Sequence, residues 1–128
     1  MQNRARQGVA GLDVWWKARE MVARVYPLAA RFPDHERFAL ANQLRRAAVS
    51  VPLNIAEGHG RKYIGDYKRS ISYACGSCTE IQTLLILASD LGYLSGPDLE
   101  ESMGVVNDVA RMLNRLYAAL SARHEQPM

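Results

Sequence analysis

This chain has few of the residues that usually carry chemistry. Its 128 residues include two cysteines, three histidines and two phenylalanines. Two cysteines do not make a disulfide framework, so stability has to come from buried apolar surface. His35, His59 and His124 are scattered over connections and the tail, and no His-x₃₋₅-His pair or second cysteine pair completes a zinc site. The Glu-x-x-His pairs of di-metal bundles are missing as well. No serine or cysteine has a base partner supported by the sequence, which leaves nucleophilic catalysis without a foothold. We therefore expect no catalytic residue, no metal and no cofactor. Long hydrophobic runs are absent too: the longest unbroken one, Leu84 to Ala88, is far too short to span a bilayer. The opening M-Q-N-R-A-R-Q-G-V-A-G lacks the apolar core of a secretory signal. The expected location is the cytoplasm, away from membranes.

The chain does have a globular composition. Hydrophobic residues make up 48% and charged residues 23%, a balance that folds rather than stays disordered. The length suits one domain. Net charge is only +3, but it is unevenly spread: residues 1–69 hold 13 Lys/Arg against 6 Asp/Glu, and residues 70–128 hold 3 against 7. Such a split fits either a basic face that meets phosphate or head-to-tail packing of subunits.

Apolar spacing predicts four helices. In the first, from a cap at Asp13 to Arg31, Trp15, Ala18, Val22, Val25, Ala29 and Phe32 recur at steps of three and four. Pro27 is expected to kink this helix without ending it. The second, 36–57, carries two apolar stripes. One is Leu40, Leu44, Ala47, Ala48, Val51 and Ile55; the other is Phe38, Val49, Pro52 and Ala56. A helix with two stripes has to be covered on two sides, and in a small bundle one of those sides is expected to belong to another subunit. Gly58 to Gly65 reads as a basic, glycine-rich connection. The third helix, 67–91 with Asp66 as cap, repeats Tyr67, Ile71, Ala74, Cys78, Ile81, Leu85 and Ala88 at bundle spacing. The fourth opens at Ser95-Gly-Pro-Asp98 and carries Leu99, Met103, Val106, Ala110, Leu113, Tyr117 and Leu120. Short connections and no strand pattern give an all-α, antiparallel up-down-up-down four-helix bundle. The expected layout is a flexible segment at 1–11, the bundle at 12–122 and a polar tail at 123–128.

Three features invite a functional reading. Cys75-Gly-Ser-Cys78 has the spacing of a redox dithiol, but it lies inside a helical repeat and reads better as two small core residues. Gly58-x-Gly60 with Arg61 and Lys62 lacks the Gly-Lys-Ser/Thr of a phosphate loop and its preceding strand. Arg45, Arg61, Lys62, Lys68 and Arg69, interleaved with Tyr63 and Tyr67, form a candidate nucleic-acid patch. The competing reading makes this an interface or solvated face, with Arg45 or Arg46 paired to Glu57 or Glu80.

Gln43-Leu-Arg-Arg-Ala-Ala-Val-Ser-Val with Asn54-Ile-Ala-Glu-Gly58, then Ala74-x-Gly76-Ser77-x-x-Glu80, Leu91-Gly-Tyr-Leu94 and Phe32-Pro33 occur in order. In these motifs the chain resembles the four-helix-bundle proteins named for 23S rRNA intervening sequences, over about residues 12 to 120. The resemblance implies a ring-like homopentamer. A related branch, the accessory proteins of diversity-generating retroelements, implies binding of nucleic acid and of a protein partner. Arg46, Pro52, Asn54, Glu57, Gly58, Gly76, Ser77 and Glu80 are expected to serve structure and assembly. Two functions stay open: a non-enzymatic oligomer that binds RNA or DNA through the basic residues, or a protein-interaction scaffold whose arginines serve intersubunit ion pairs.

Overall fold

A computed structural model describes residues 8–125. Residues 1–7 and 126–128, including most of the expected flexible segment, lie outside the described residues. A 3-10 turn at Gly8–Gly11 precedes α1 (Asp13–Ala29). A second 3-10 turn (Asp34–Glu36) leads into α2 (Leu40–His59), followed by α3 (Ile64–Asp90) and α4 (Gly96–Glu125). There is no strand among the described residues. Each helix packs against its neighbours in sequence, and α4 closes on α1. The four form a square antiparallel bundle with short connections, as expected.

The core is built almost entirely from aliphatic side chains, with Met21, Leu44, Ile55, Ile71, Ile81, Leu85 and Leu113 fully enclosed. On α3 the stripe falls as its spacing predicts: Ile71, Ala74, Cys78, Ile81, Leu85 and Ala88 are buried, and Tyr67 is half-buried. By length and composition α3 would also pass for a membrane span, but its apolar stripe is consumed by the bundle core. On α1 the buried face is rotated from the expected one. Val14, Met21 and Leu28 go inside with Ala18, Val25 and Ala29, whereas Trp15 and Val22 are half-buried. At the surface the Arg19 guanidinium lies 5.0 Å from the Trp15 ring and 4.6 Å from that of Trp16, so both indoles at the rim serve as cation platforms. On α4 the inward positions are Ser102, Val105, Val106, Val109, Leu113 and Leu120, and Tyr117 turns outward.

Helix limits differ from expectation for local reasons. Asp13 is the first helical residue rather than the cap, which is Leu12. α2 begins at Leu40 because the Asp34–Glu36 turn takes up its expected first residues, and the Glu36 carboxylate accepts from the Leu40 N–H at 3.4 Å. Pro27 and Pro52 both sit inside continuous helices. α3 starts at Ile64, so Asp66 lies in its first turn, where a carboxylate complements the helix dipole. Gly92, with φ +81°, turns the chain out of α3, and the Tyr93 N–H reaches back to the Ala88 carbonyl at 2.8 Å.

Gly58 requires a correction. It belongs to α2 rather than to a flexible connection, and it is buried. A Cβ placed on it would lie 2.8 Å from Ser70 Cβ and 3.0 Å from Tyr67 Cδ1. Glycine here lets α2 and α3 touch, which is a packing role and not a phosphate cradle.

Candidate interaction surfaces

The four sides of the square are unequal. Where α1 meets α4, charged groups satisfy one another. Lys17 pairs with Glu20 at 3.1 Å and approaches Asp108 at 3.8 Å, and Arg31 meets Asp98 at 2.7 Å. Arg24 pairs with Glu101, and Arg111 with Asp108. Among the described residues, every Lys/Arg to Asp/Glu ion pair lies on or beside these two helices. The Arg31 guanidinium, with the Ser95 hydroxyl, holds the Asp98 carboxyl below the usual carboxylate range.

On the opposite side, α2 and α3 run antiparallel and form a shallow polar groove. At its centre the hydroxyls of Ser50 and Ser77 share a 2.6 Å hydrogen bond, and Asn54 Nδ2 donates to the Ser50 carbonyl at 2.8 Å. Towards one end, Gln43, Arg46 and Glu80 line a hollow of about 300 Å³. Towards the other, Asn54, Glu57, Arg61, Asp66, Arg69 and Tyr73 line one of about 330 Å³. The expected pairing of Arg45 or Arg46 with Glu57 or Glu80 is not made within the chain. Arg45 instead donates to the Arg37 carbonyl at 3.4 Å, beside a separate hollow between α1 and α2 lined by Tyr26, Arg46, Val49 and Leu53.

The candidate cations therefore do not form one continuous patch. Arg61 and Arg69 share a groove with Glu57 and Asp66. Lys68 points to the α4 side, with Nζ 5.4 Å from the Tyr117 ring and 3.4 Å from His124 Nδ1. Lys62 lies 5.9 Å from the ring of Tyr63, itself 65% exposed. Arg45 stands towards the other end of α2. What unites all but Arg45 is the end of the bundle at which α2 gives way to α3. The C-terminus of α4 reaches the same place, where the His124 ring lies beside Gly65. This end holds Arg61, Lys62, Lys68, Arg69 and Arg123 against Asp13, Glu57 and Asp66. The far end holds Arg24, Arg31, Arg37 and Arg45 against Asp34, Glu36, Asp90, Asp98, Glu100 and Glu101. Cations outnumber carboxylates at the first end and carboxylates outnumber cations at the second, which is a charge gradient along the bundle axis.

Arg123, His124 and Tyr117 were not legible as part of this end. Arg123 falls in the last turn of the fourth helix, where a cation complements the helix dipole, and placing it at this end needed the antiparallel return of α4. Tyr67 sits beneath them, its ring 5.9 Å from that of His59; burial raises its hydroxyl pKa and Arg123 acts against that. Gly76 is exposed on α3 with open space around it, so nothing within the chain requires its lack of a side chain. The two cysteines behave as core residues. Cys75 is half-buried and 3.7 Å from Asn114 Oδ1, and burial pushes the Cys78 thiol up to about 12.

Comparison with known proteins gives two findings. The family model for the 23S rRNA-intervening sequence protein matches residues 10–115. A crystal structure from Bacteroides thetaiotaomicron, described as a protein of unknown function from the S23 ribosomal protein family, superposes with a TM-score of 0.76. That match has 19% identity and covers 81% of this chain and 97% of that one, so the two share a fold. No curated protein matches the chain.

Proposed function

Because the chain belongs to the 23S rRNA-intervening sequence protein family, we propose that it is a non-enzymatic, cytoplasmic homo-oligomer that binds RNA through the basic end of its bundle. The observation that carries this reading is the convergence of Arg61, Lys62, Lys68, Arg69 and Arg123 at one end, with Tyr63 exposed among them. Clustered cations release counterions from a phosphate backbone, and an exposed aromatic offers a face on which an unpaired base stacks. The family's description names an rRNA element, which favours RNA as the polymer. Assembly into five copies rests on the family resemblance. Joining subunits would multiply the number of basic ends that one strand can meet.

The test is binding of a labelled single-stranded RNA over a salt series. Wild-type affinity should fall steeply with salt. Replacing Arg61, Lys62, Lys68 and Arg69 by Gln should weaken binding and flatten the slope, by about one unit for each cation that contacts phosphate. Absence of binding even at low salt would sink the reading.

A second reading is a protein-interaction scaffold without a nucleic-acid role. It is favoured by one specific observation: Arg46, Arg61 and Arg69 share grooves with Glu80, Glu57 and Asp66 yet make no ion pair among the described residues. Under that reading RNA is not bound, and the arginines meet carboxylates of a neighbouring subunit.

A further inference from the structure

We propose that the α1–α2 side of the bundle docks an acidic segment of another protein that carries apolar side chains, with Arg45 as its central contact. This goes beyond both preceding readings. The surface is neither the basic end nor the α2–α3 groove, and the occupant is not a copy of this chain.

Arg45 is the candidate cation that does not reach the basic end. It stands between two hollows on the α1–α2 side and lines both. One, of about 360 Å³, is bounded by Tyr26, Asn42, Arg46, Val49 and Leu53. The other, of about 250 Å³, is lined by buried Ala29, Phe32 and Ala41 and by the more open Asp34 and Arg37. Joined at Arg45, they make a shallow channel beside α2 from Ala41 to Leu53.

Two properties of this channel point to a ligand of mixed character. The first is open apolar surface: Tyr26 is 45% exposed, Leu53 55% and Val49 36%. Tyr26 is the only large apolar side chain that α1 leaves exposed among the described residues, and it lies here. Apolar groups gathered in a concavity and rimmed by charge mark an interaction surface. The second property is charge. Arg37, Arg45 and Arg46 face a single carboxylate, Asp34, and none of the three arginines is in an ion pair among the described residues. Arg45 donates to the Arg37 carbonyl at 3.4 Å, a long contact that uses one N–H of a guanidinium with several.

The combination selects the occupant. A guanidinium fork takes a carboxylate through two parallel hydrogen bonds, so the lining suits an acidic ligand. A bare phosphate chain would satisfy the arginines and leave the apolar groups uncovered. A segment that alternates acidic and apolar side chains serves both, laying its apolar groups on Tyr26, Val49 and Leu53 and its carboxylates on Arg45 and Arg37. Length agrees with this. Ala41 to Leu53 is about 18 Å of helix, the reach of about five or six residues of extended chain. The half-open lining suits a chain segment lying along the surface better than an enclosed small molecule.

The experiment is fluorescence anisotropy on the full chain freed of nucleic acid, with short labelled peptides that alternate glutamate with leucine, glutamate with serine, or lysine with leucine. Wild-type protein should bind the glutamate–leucine peptide at least about tenfold more tightly than the other two. Arg45→Glu and Leu53→Ser should each weaken that peptide about tenfold, with helix content unchanged by circular dichroism. Replacing Arg61, Lys62, Lys68 and Arg69 together by Gln should change its affinity by less than about twofold, because they lie at a separate site. No binding by the wild type overturns the proposal, as does equal binding of the leucine and serine peptides. Loss of the peptide in the Gln variant places it on the basic end and also overturns the proposal. Light scattering covers a second copy as occupant: Arg45→Glu and Leu53→Ser should keep the wild-type mass, and a fall in mass gives the channel to another copy and sinks the proposal. An RNA affinity that falls with Arg45→Glu while peptide affinity holds gives the channel to nucleic acid, with the same consequence. Absence of RNA binding with peptide binding intact strikes the preceding reading and leaves this one standing.

Discussion

Replacing Gly58 by Ala sets two calculable effects against each other. Gly58 is the next-to-last residue of α2, so alanine there gains at most the helix-interior value of about 0.8–1 kcal/mol over glycine from backbone propensity. Against this, the new Cβ would sit 2.8 Å from Ser70 Cβ, 3.0 Å from Tyr67 Cδ1 and 3.3 Å from the Tyr67 carbonyl oxygen. Carbon atoms pack best at about 3.5–4.0 Å, so the closest contact is short by roughly 0.7 Å. Ser70 Cβ is fixed to the α3 backbone and cannot rotate away. Relief has to come from separating α2 and α3, which loosens Ile55 and Ile71 in the core between them. Overpacking of this kind costs about 1–3 kcal/mol. The net expectation is destabilisation by about 0–2 kcal/mol, read as a lower urea midpoint at unchanged slope and fixed protein concentration. Gly104→Ala is the control: it is exposed on α4, has nothing within 4 Å of its added Cβ, and should show only the gain from propensity. Equal stabilisation of the two variants would refute the close-approach reasoning.

Ile55→Ala empties a fully buried position on α2 and should cost about 2–5 kcal/mol in the same urea assay, whereas a loss below 1 kcal/mol would place Ile55 outside the core. Thiol titration at about pH 8 should find Cys78 unreactive in the native protein, because burial holds its thiol up near 12 and leaves almost no thiolate; modification as fast as after denaturation would contradict this. NMR titration of Asp98 should show a carboxyl below its unfolded value. This contribution to stability is present above the unfolded carboxylate pKa and is lost as pH falls through the depressed folded one; Arg31→Gln should remove most of the shift.

The sequence made α3 legible because its apolar residues follow a single stripe, so spacing alone identified the inner face. α1 carries two overlapping stripes one residue apart. Trp15 and Val22 satisfy the helical period as well as Val14, Met21 and Leu28 do, so spacing alone does not decide which stripe packs into the core. α4 shows the same ambiguity at Tyr117. Gly58 sits in a glycine-rich stretch and resembles a turn residue, because close approach of Ser70 from 12 residues further on is a tertiary fact. Of the second apolar stripe expected on α2, Phe38 lies before the helix and is 84% exposed, Val49 lies open, and Pro52 and Ala56 are half-buried. Arg46 and Glu57 were expected to serve structure and assembly, but spacing along one helix could not foretell that they would line grooves whose acids and bases do not pair among the described residues.

The most direct single measurement is the mass of the wild-type chain in solution, determined by light scattering at micromolar concentration after nucleic acid has been removed. The proposed homo-oligomer predicts a defined multiple of the 14.3 kDa chain. A monomer at low salt, with Leu53 and Tyr73 open to water, would contradict it.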